Sequence, residues 1–327
     1  TPLCEQDALD EVSPGDTIRI ESGNYWEDLV TTVDGTEKAR ITIEGAGGAS
    51  GRDRVVLRGA GTSSRLFQVM HDYYTLQDFS IDGQAVNDKN DANENNFKDA
   101  YRDILLYVTA DREPSERSGG YKSALDGLIV RGLNIQNAGS ECIRLRDFVT
   151  NADIDGNSIV NCGLYDFVFD AGTKNGEGIY IGTSSKQWDD GKNYFDGPDM
   201  GRGNVVRNNV IASHGCEGVD VKEGCLDTGI KDNRISMQLD VNGGAIDSRG
   251  DGTIIENNVV ENTDGACIRV GGHTVDGREY GVNTTVIGNT LKDCRGSGIK
   301  IMVTPQSTMW GNDVMLLPGQ DAGMVRP

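Results

Sequence analysis

The feature that most constrains the fold is a short phrase that recurs between about residues 139 and 302. Its copies are Ser140-Glu-Cys-Ile-Arg-Leu-Arg146, Gly176-Glu-Gly-Ile-Tyr-Ile-Gly182, Cys216-Glu-Gly-Val-Asp-Val-Lys222, Gly243-Gly-Ala-Ile-Asp-Ser-Arg249, Gly265-Ala-Cys-Ile-Arg-Val-Gly271 and Gly296-Ser-Gly-Ile-Lys-Ile-Met302. Each alternates apolar and polar residues, the period of a half-buried strand. A second phrase, an asparagine followed two positions later by an aliphatic residue, interleaves with the first: Asn157, Asn209, Asn233, Asn258, Asn289 and Asn312. Its spacings are 24, 25, 31 and 23 residues from Asn209 onward, and 52 between Asn157 and Asn209, where a long loop intervenes. Such a period signals stacked repeats, and short strands with no helical pattern between them point to a single-stranded right-handed parallel β-helix. Asparagine suits the corners because it tolerates left-handed backbone angles and can hydrogen-bond to the asparagine of the next coil.

The unbroken register argues for one elongated domain over residues 1–327, with residues 1–15 as an N-terminal cap and loop insertions at 84–100, 111–122 and 183–203. Within the cap, residues 5–12 read as a short amphipathic helix closing the first coil. Asp16–Ile20, Ile41–Ile43, Val55–Leu57, Leu66–Val69 and Leu76–Ile81 read as strands. Loops on one side of a solenoid usually build its cleft.

The net charge of −20 excludes nucleic acid as a natural partner, and no stretch approaches the ~18 apolar residues of a membrane span. An anionic substrate remains open, because a metal ion and a few fixed cations can invert the local potential. The chain begins at Thr1 with neither methionine nor a signal peptide, and it carries seven cysteines. Both fit a processed, secreted, monomeric product of an oxidising compartment. Pairings of Cys216 with Cys225, or Cys267 with Cys294, are open from sequence. Asn283-Thr-Thr285 is a glycosylation sequon if the source is eukaryotic.

Aligned on the anchors Ile143, Ile179, Val219, Ile246, Ile268 and Ile299, the strand phrases become columns. Two residues before the anchor stand Glu141, Glu177, Glu217, Gly244, Ala266 and Ser297; one after it, Arg144, Tyr180, Asp220, Asp247, Arg269 and Lys300; three after it, Arg146, Gly182, Lys222, Arg249, Gly271 and Met302. These positions share the outer face of one sheet, with neighbouring coils ~4.8 Å apart. Glu177 is then beside Glu217, Asp220 beside Asp247, and Lys222 beside Arg249. Like charges at that spacing repel unless compensated, and a hard cation such as calcium, held by Glu177, Glu217 and Asp220, is an economical answer. The bland alternative is a solvated face of cancelling salt bridges.

A site of this kind suits β-elimination on a uronic acid. Such a reaction needs neutralisation of the carboxylate, a base at C5 and help for the departing O4. Lys222, its pKa lowered by a neighbouring arginine and a metal, fits the base, and Arg249 the carboxylate clamp or proton-relay partner. Tyr180 lies on the same face as a possible proton donor to the leaving oxygen. Arg146, Arg269, His214 and Trp188 are further candidates for binding the sugar.

Pro14-Gly-Asp-Thr-Ile18, Gly23-Asn-Tyr25 and Ile41-Thr-Ile43 look like the opening of many secreted β-helix polysaccharide lyases. Glu217-Gly-Val-Asp-Val-Lys222, with Arg249 one coil later, resembles the Glu-x-x-x-x-Lys strand of polysaccharide lyase family 6, the alginate lyases and their relatives. The resemblance implies Lys222 and Arg249 as catalytic residues, Glu217 as a calcium ligand, Asn175 or Glu177 as a second ligand, and an anionic uronic-acid polysaccharide as substrate. The chain departs from that pattern at Gly215, where the family has an acidic residue, and in the Arg249-Gly-Asp251 context of the arginine. Other readings on the same fold are a glycosidase using Asp220, Asp247 and Glu217, a C5-epimerase, and a non-catalytic carbohydrate-binding β-helix.

Overall fold

The computed structural model describes residues 5–60, 64–84, 97–117, 119–171 and 174–315, and the backbone of 323–325. Three parallel sheets of ten strands each run along the chain, and every turn of the coil contributes one strand to each. The architecture is a right-handed parallel β-helix. The first sheet begins at Thr17–Ile20, the second at Gly23–Tyr25 and the third at Leu29–Val30.

The columns read from sequence are the columns of the third sheet. Ile143 pairs with Ile179, Ile179 with Val219, Val219 with Ile246, Ile246 with Ile268 and Ile268 with Ile299. The first five anchors are fully buried, as are Ile159, Ile211, Ile235, Val260 and Leu291 of the second sheet. Each such side chain contributes roughly 1.5–3 kcal/mol by leaving water. The coil therefore has a continuous aliphatic centre, and the polar residues that alternate with the anchors along the third sheet lie on its outer face.

The asparagines form an unbroken internal ladder. Oδ1 of Asn209 accepts both the backbone N–H and the side-chain amide of Asn157 at 2.9 Å. Asn233 does the same for Asn209 at 3.0 Å, and the pattern continues through Asn258, Asn289 and Asn312. Burial supplies the reason: at each corner the chain turns inward, and its polar groups need partners. The left-handed conformation falls on the residue before each ladder asparagine. Gly156, Asn208, Asp232, Asn257, Gly288 and Gly311 have φ between 55° and 69°. Asparagine at the ladder position is thus selected by its amide and not by its backbone tolerance.

A helix at Glu5–Glu11 covers the first coil, with Leu9 buried and the Gln6 side chain bonded to both backbone polar groups of Val30. Residues 1–4 of the expected cap lie outside the described residues, as do 85–96 of the first insertion. The expected strand Leu76–Ile81 is two strands, Tyr74–Gln77 and Ser80–Asp82, because Asp78 turns the corner between sheets at φ 60°. The 111–122 insertion contains an antiparallel pair, Ser115–Glu116 with Lys122–Ser123. A further hairpin, His273–Val275 with Arg278–Tyr280, accounts for the 31-residue step in the asparagine spacing.

Two disulfides, Cys142–Cys162 and Cys267–Cys294, staple the same pair of columns on different coils. In both, a cysteine just before an anchor isoleucine meets one five residues after the ladder asparagine of the next second-sheet strand, where that strand runs into its corner. Cys216 lies two positions off that column and stays unpaired, as does Cys225, so the alternative 216–225 bridge does not form.

Replacing Asn233 by alanine would orphan the buried Asn209 N–H and the Val206 carbonyl that it now satisfies. The expected loss is about 2–4 kcal/mol of stability, against about 0.5 kcal/mol or less for Arg234→Ala on the exposed side of the same corner. Guanidinium denaturation of the two variants provides the comparison.

Candidate active site

The outer face of the third sheet brings Arg144, Tyr180, Asp220, Asp247, Arg269 and Lys300 into one column. A strand's alternate residues share a face, so Lys222 stands over Asp220 on its own strand. Its ammonium donates to Asp220 Oδ2, lies 3.9 Å from Glu177 Oε1 and sits 4.3 Å from the centroid of the Tyr180 ring. On the ring's other neighbour, the Arg144 guanidinium is 4.6 Å from the same centroid. Arg249 reaches Asp220 at 3.2 Å and Glu223 at 3.4 Å, while Arg269 holds Asp247 at 2.9 Å. Most of these groups are buried, and the 183–203 insertion reaches over the sheet to Arg144 through Gln187 and to Glu223 through Ser185. Glu141, Arg144, Asn175, Glu177, Tyr180 and Lys222, with Ser184, Lys186 and Gln187 of that insertion, line an open cleft.

The charges are arranged as interleaved pairs. Glu177, Glu217 and Asp220 present carboxylate oxygens within 4.8 Å of one another. Burial pushes Glu177 up to about 7 despite the opposing charge of Lys222. Glu217 is pushed well above the carboxylate range by burial and then by Asp220 and Glu177. Asp220 is also buried, but Lys222 and Arg249 hold it below its ordinary value. Asp247 is raised, since burial outweighs Arg269. Burial pushes the Tyr180 phenol up to about 12, so it is protonated at neutral pH.

Lys222 departs from expectation. Desolvation pulls its ammonium down, yet Asp220 and then Tyr180 outweigh that pull and raise its pKa above the ordinary lysine value. The column reading placed Arg249 beside it and overlooked the carboxylate two residues earlier on the same strand.

Three other candidates are committed elsewhere. Arg146 is buried and gives its donors to Asn193 at 2.6 Å and Asp190 at 2.9 Å, so it anchors the 183–203 insertion and does not face the cleft. Trp188 donates its indole N–H to the Thr183 carbonyl at 2.9 Å and packs edge-on against Tyr280, which leaves it a loop pin. His214 occupies a left-handed corner and its Nδ1 bonds the Ala212 carbonyl at 3.1 Å. Asn175 is exposed on the rim of the cleft.

Sequence reasoning missed Glu223. Fully buried, it accepts the Ser185 N–H at 2.7 Å, faces His273 Nε2 at 3.3 Å and pairs with Arg249. It thereby ties the arginine to both the insertion and the hairpin. Its position directly after Lys222 puts it on the inward-turning side of the strand end, where an acidic residue is out of place without such partners. Arg144, noted only as a column member, proved to be a cleft residue with its own partners, Glu141 at 2.9 Å and Gln187 at 2.8 Å.

The carboxylate trio offers hard oxygen donors of the kind calcium prefers. Neither a side-chain hydrogen bond nor an ion pair reaches Glu217 among the described residues, so its carboxylate is free to take such an ion beside Glu177 and Asp220. The residues present therefore fit a divalent cation.

No family model matches the sequence, and no curated protein matches it significantly. Among solved structures, an alginate lyase from Paenibacillus sp. str. FPU-7 is similar with a TM-score of 0.73 and 21% identity, covering 98% of this chain and 94% of that one. A DFA-IIIase from Arthrobacter chlorophenolicus A6 has a TM-score of 0.52 and 14% identity over 95% of this chain and 83% of that one. A mannuronic acid specific family 6 lyase from human gut microbiota has a TM-score of 0.50 and 16% identity over 90% of this chain and 63% of that one. At these identities the likeness is one of fold, and it places the chain among right-handed parallel β-helices like those of the alginate lyases that its sequence resembles.

Proposed function

We propose that this protein is a secreted polysaccharide lyase, folded as one elongated unit, that cleaves an anionic uronic-acid polysaccharide by β-elimination. The observation that carries the reading is the meeting of Lys222, Tyr180 and Arg144 with buried Glu141 and Glu177 around one cleft, with Arg249 joined to Lys222 through Asp220 behind it. The fold likeness to alginate lyases supports it, and the two disulfides fit an oxidising compartment.

Elimination takes one proton from C5, returns one to O4, and shifts two electron pairs. A base takes the C5 proton, the C5–H electrons form the C4–C5 double bond, and the C4–O4 bond breaks with its electrons staying on O4, which must then be protonated. Lys222 is the base in this reading, and Tyr180, still carrying its proton at neutral pH, delivers one to O4. Arg249 or Arg144 pairs with the uronate carboxylate, which makes C5 more acidic.

A lysine held by Asp220 is a poor base, and the acidic trio supplies the remedy. Glu177, Glu217 and Asp220, with Asn175 at the rim, are the residues that would hold calcium, whose charge would occupy Asp220 and favour neutral Lys222. Glycosidic hydrolysis by the same aspartates is less well served, because Asp220 and Asp247 are each locked to an arginine.

Incubation with alginate, pectate, glucuronan and glycosaminoglycans should yield a product absorbing near ~235 nm, as an unsaturated uronate does, from at least one polymer. Lys222→Ala should abolish that signal, and Tyr180→Phe should lower kcat by about 10²-fold or more while leaving KM within a few-fold. Full activity in the lysine variant would refute the assignment. Chelation should cut the rate, with recovery on adding calcium.

The cation reading also fixes a pH dependence of stability. A carboxylate whose folded pKa is raised stabilises the fold fully below its unfolded pKa, and that contribution fades as pH rises through the folded value. For Glu177 the window runs from 4.5 to about 7, and Glu217 shifts in the same direction. Asp220, shifted downward, adds stability that is constant above 3.8. In chelator, the wild-type Tm should therefore fall between about pH 4.5 and 7 more steeply than that of Glu217→Gln, and calcium should remove the difference. Parallel curves with and without calcium would count against a cation at these residues.

A further inference from the structure

A second recess shares no lining residue with the cleft and takes Arg202 and Gly203 from the end of the 183–203 insertion. Tyr73, Arg117, Tyr121, Asp126, Asn151 and Arg202 line a cavity of ≈ 270 Å³. A shallower recess shares Tyr121 and Arg202 with it and adds Lys122 and Met200, with one carboxylate, Glu116, against the cations. The insertion thus gives Ser184, Lys186 and Gln187 to one site and Met200 and Arg202 to the other.

The floor of this recess is built and electrically settled. Buried Asp126 accepts from the Tyr73 hydroxyl at 2.7 Å, from Thr150 Oγ1 at 2.9 Å and from the Asn151 amide at 2.8 Å. With its lone pairs so occupied, it repels an incoming anion less than a bare carboxylate would.

The rim is cationic and aromatic. Arg117 pairs with Asp72 at 2.8 Å through Nη2, while its Nε is buried with no partner among the described residues. Arg202 pairs with Asp227 at 2.5 Å, and its guanidinium lies 4.0 Å from the Tyr121 ring centroid. Lys122 sits 4.9 Å from the ring centroid of Phe195. Tyr121 is 46% exposed, Phe195 39% and Met200 37%. None of these belongs to the aliphatic centre of the coil, although Phe195 rests edge-on against buried Phe148. Cations gathered beside exposed rings on a chain of net charge −20 point to an anionic ligand with apolar faces.

We propose that this recess is an accessory binding site for an acidic polysaccharide, in which Tyr121 stacks on a pyranose face and Arg117, Lys122 and Arg202 meet its carboxylates. The identity of the polymer rests on the lyase reading; the site itself does not. It would hold a long chain near the enzyme while another stretch enters the cleft, and it would give a short oligosaccharide nothing.

The test is affinity electrophoresis in gels containing alginate or pectate, in a Lys222→Ala background that prevents digestion. Adding Tyr121→Ala and Arg202→Ala should weaken retardation roughly three- to tenfold. Arg202→Lys, which keeps the charge, should retain most of it, and melting curves identify any variant that has lost its fold. In the otherwise wild-type enzyme the double substitution should raise KM for polymer and leave turnover of a trisaccharide unchanged. Unaltered retardation, no retardation of the Lys222→Ala protein in any gel, or an equal loss on trisaccharide and polymer would overturn the proposal. Retardation that depends on Tyr121 and Arg202 in a protein that releases no unsaturated product would leave this site standing and sink the lyase reading.

Discussion

Everything in this molecule depends on the register between coils. Parallel strands joined by evenly spaced hydrogen bonds place each residue beside its counterpart one turn on, and the asparagine ladder pins the corner that would otherwise let a coil slip. One residue of slippage would turn Ile179, Val219 and Ile246 outward and send Tyr180, Asp220 and Asp247 into the aliphatic centre. The same geometry that makes the stack stable therefore fixes which functional groups can meet.

That constraint imposes an electrostatic problem on the third sheet. Carboxylates repeated in a column stand closer than they would on an ordinary surface, and the insertion above them removes much of the water that would screen them. The chain answers by alternation: Lys222 and Arg249 against Asp220, Arg269 against Asp247, Arg144 against Glu141. Of the carboxylates in these columns, only Glu217 has no such partner among the described residues, an imbalance that a bound cation would relieve. Raised acids beside a held lysine also show how a divalent ion would act on chemistry at a distance from the sugar, by changing what Asp220 is bonded to.

Much of this was legible in the sequence, because a solenoid turns linear spacing into spatial adjacency. The six anchors, the columns beside them, the ladder and the cluster of Glu177, Glu217, Asp220, Lys222 and Arg249 all follow from alignment of the repeats. What the alignment did not give depends on partners outside the columns. Arg146 and Trp188 are consumed by the 183–203 insertion, whose path no period dictates. Glu223 gains its meaning from Ser185 and His273, residues of a loop and a hairpin. The state of Lys222 is set along the strand and not across it: Asp220 stands at the two-residue step that puts both on one face, a neighbour that alignment between coils does not bring out.

The central claim is that the bond is broken by elimination and not by water. Cleavage of the susceptible polymer in water enriched in heavy oxygen, with products read promptly by mass spectrometry, tests it directly. Elimination breaks the C4–O4 bond and leaves the original oxygen on the new reducing end, so every cut should give one unsaturated product and no incorporated heavy oxygen. One heavy oxygen per cut, with saturated products throughout, would mean that the carboxylates of this site act as those of a hydrolase, and the roles given to Lys222 and Tyr180 would be wrong.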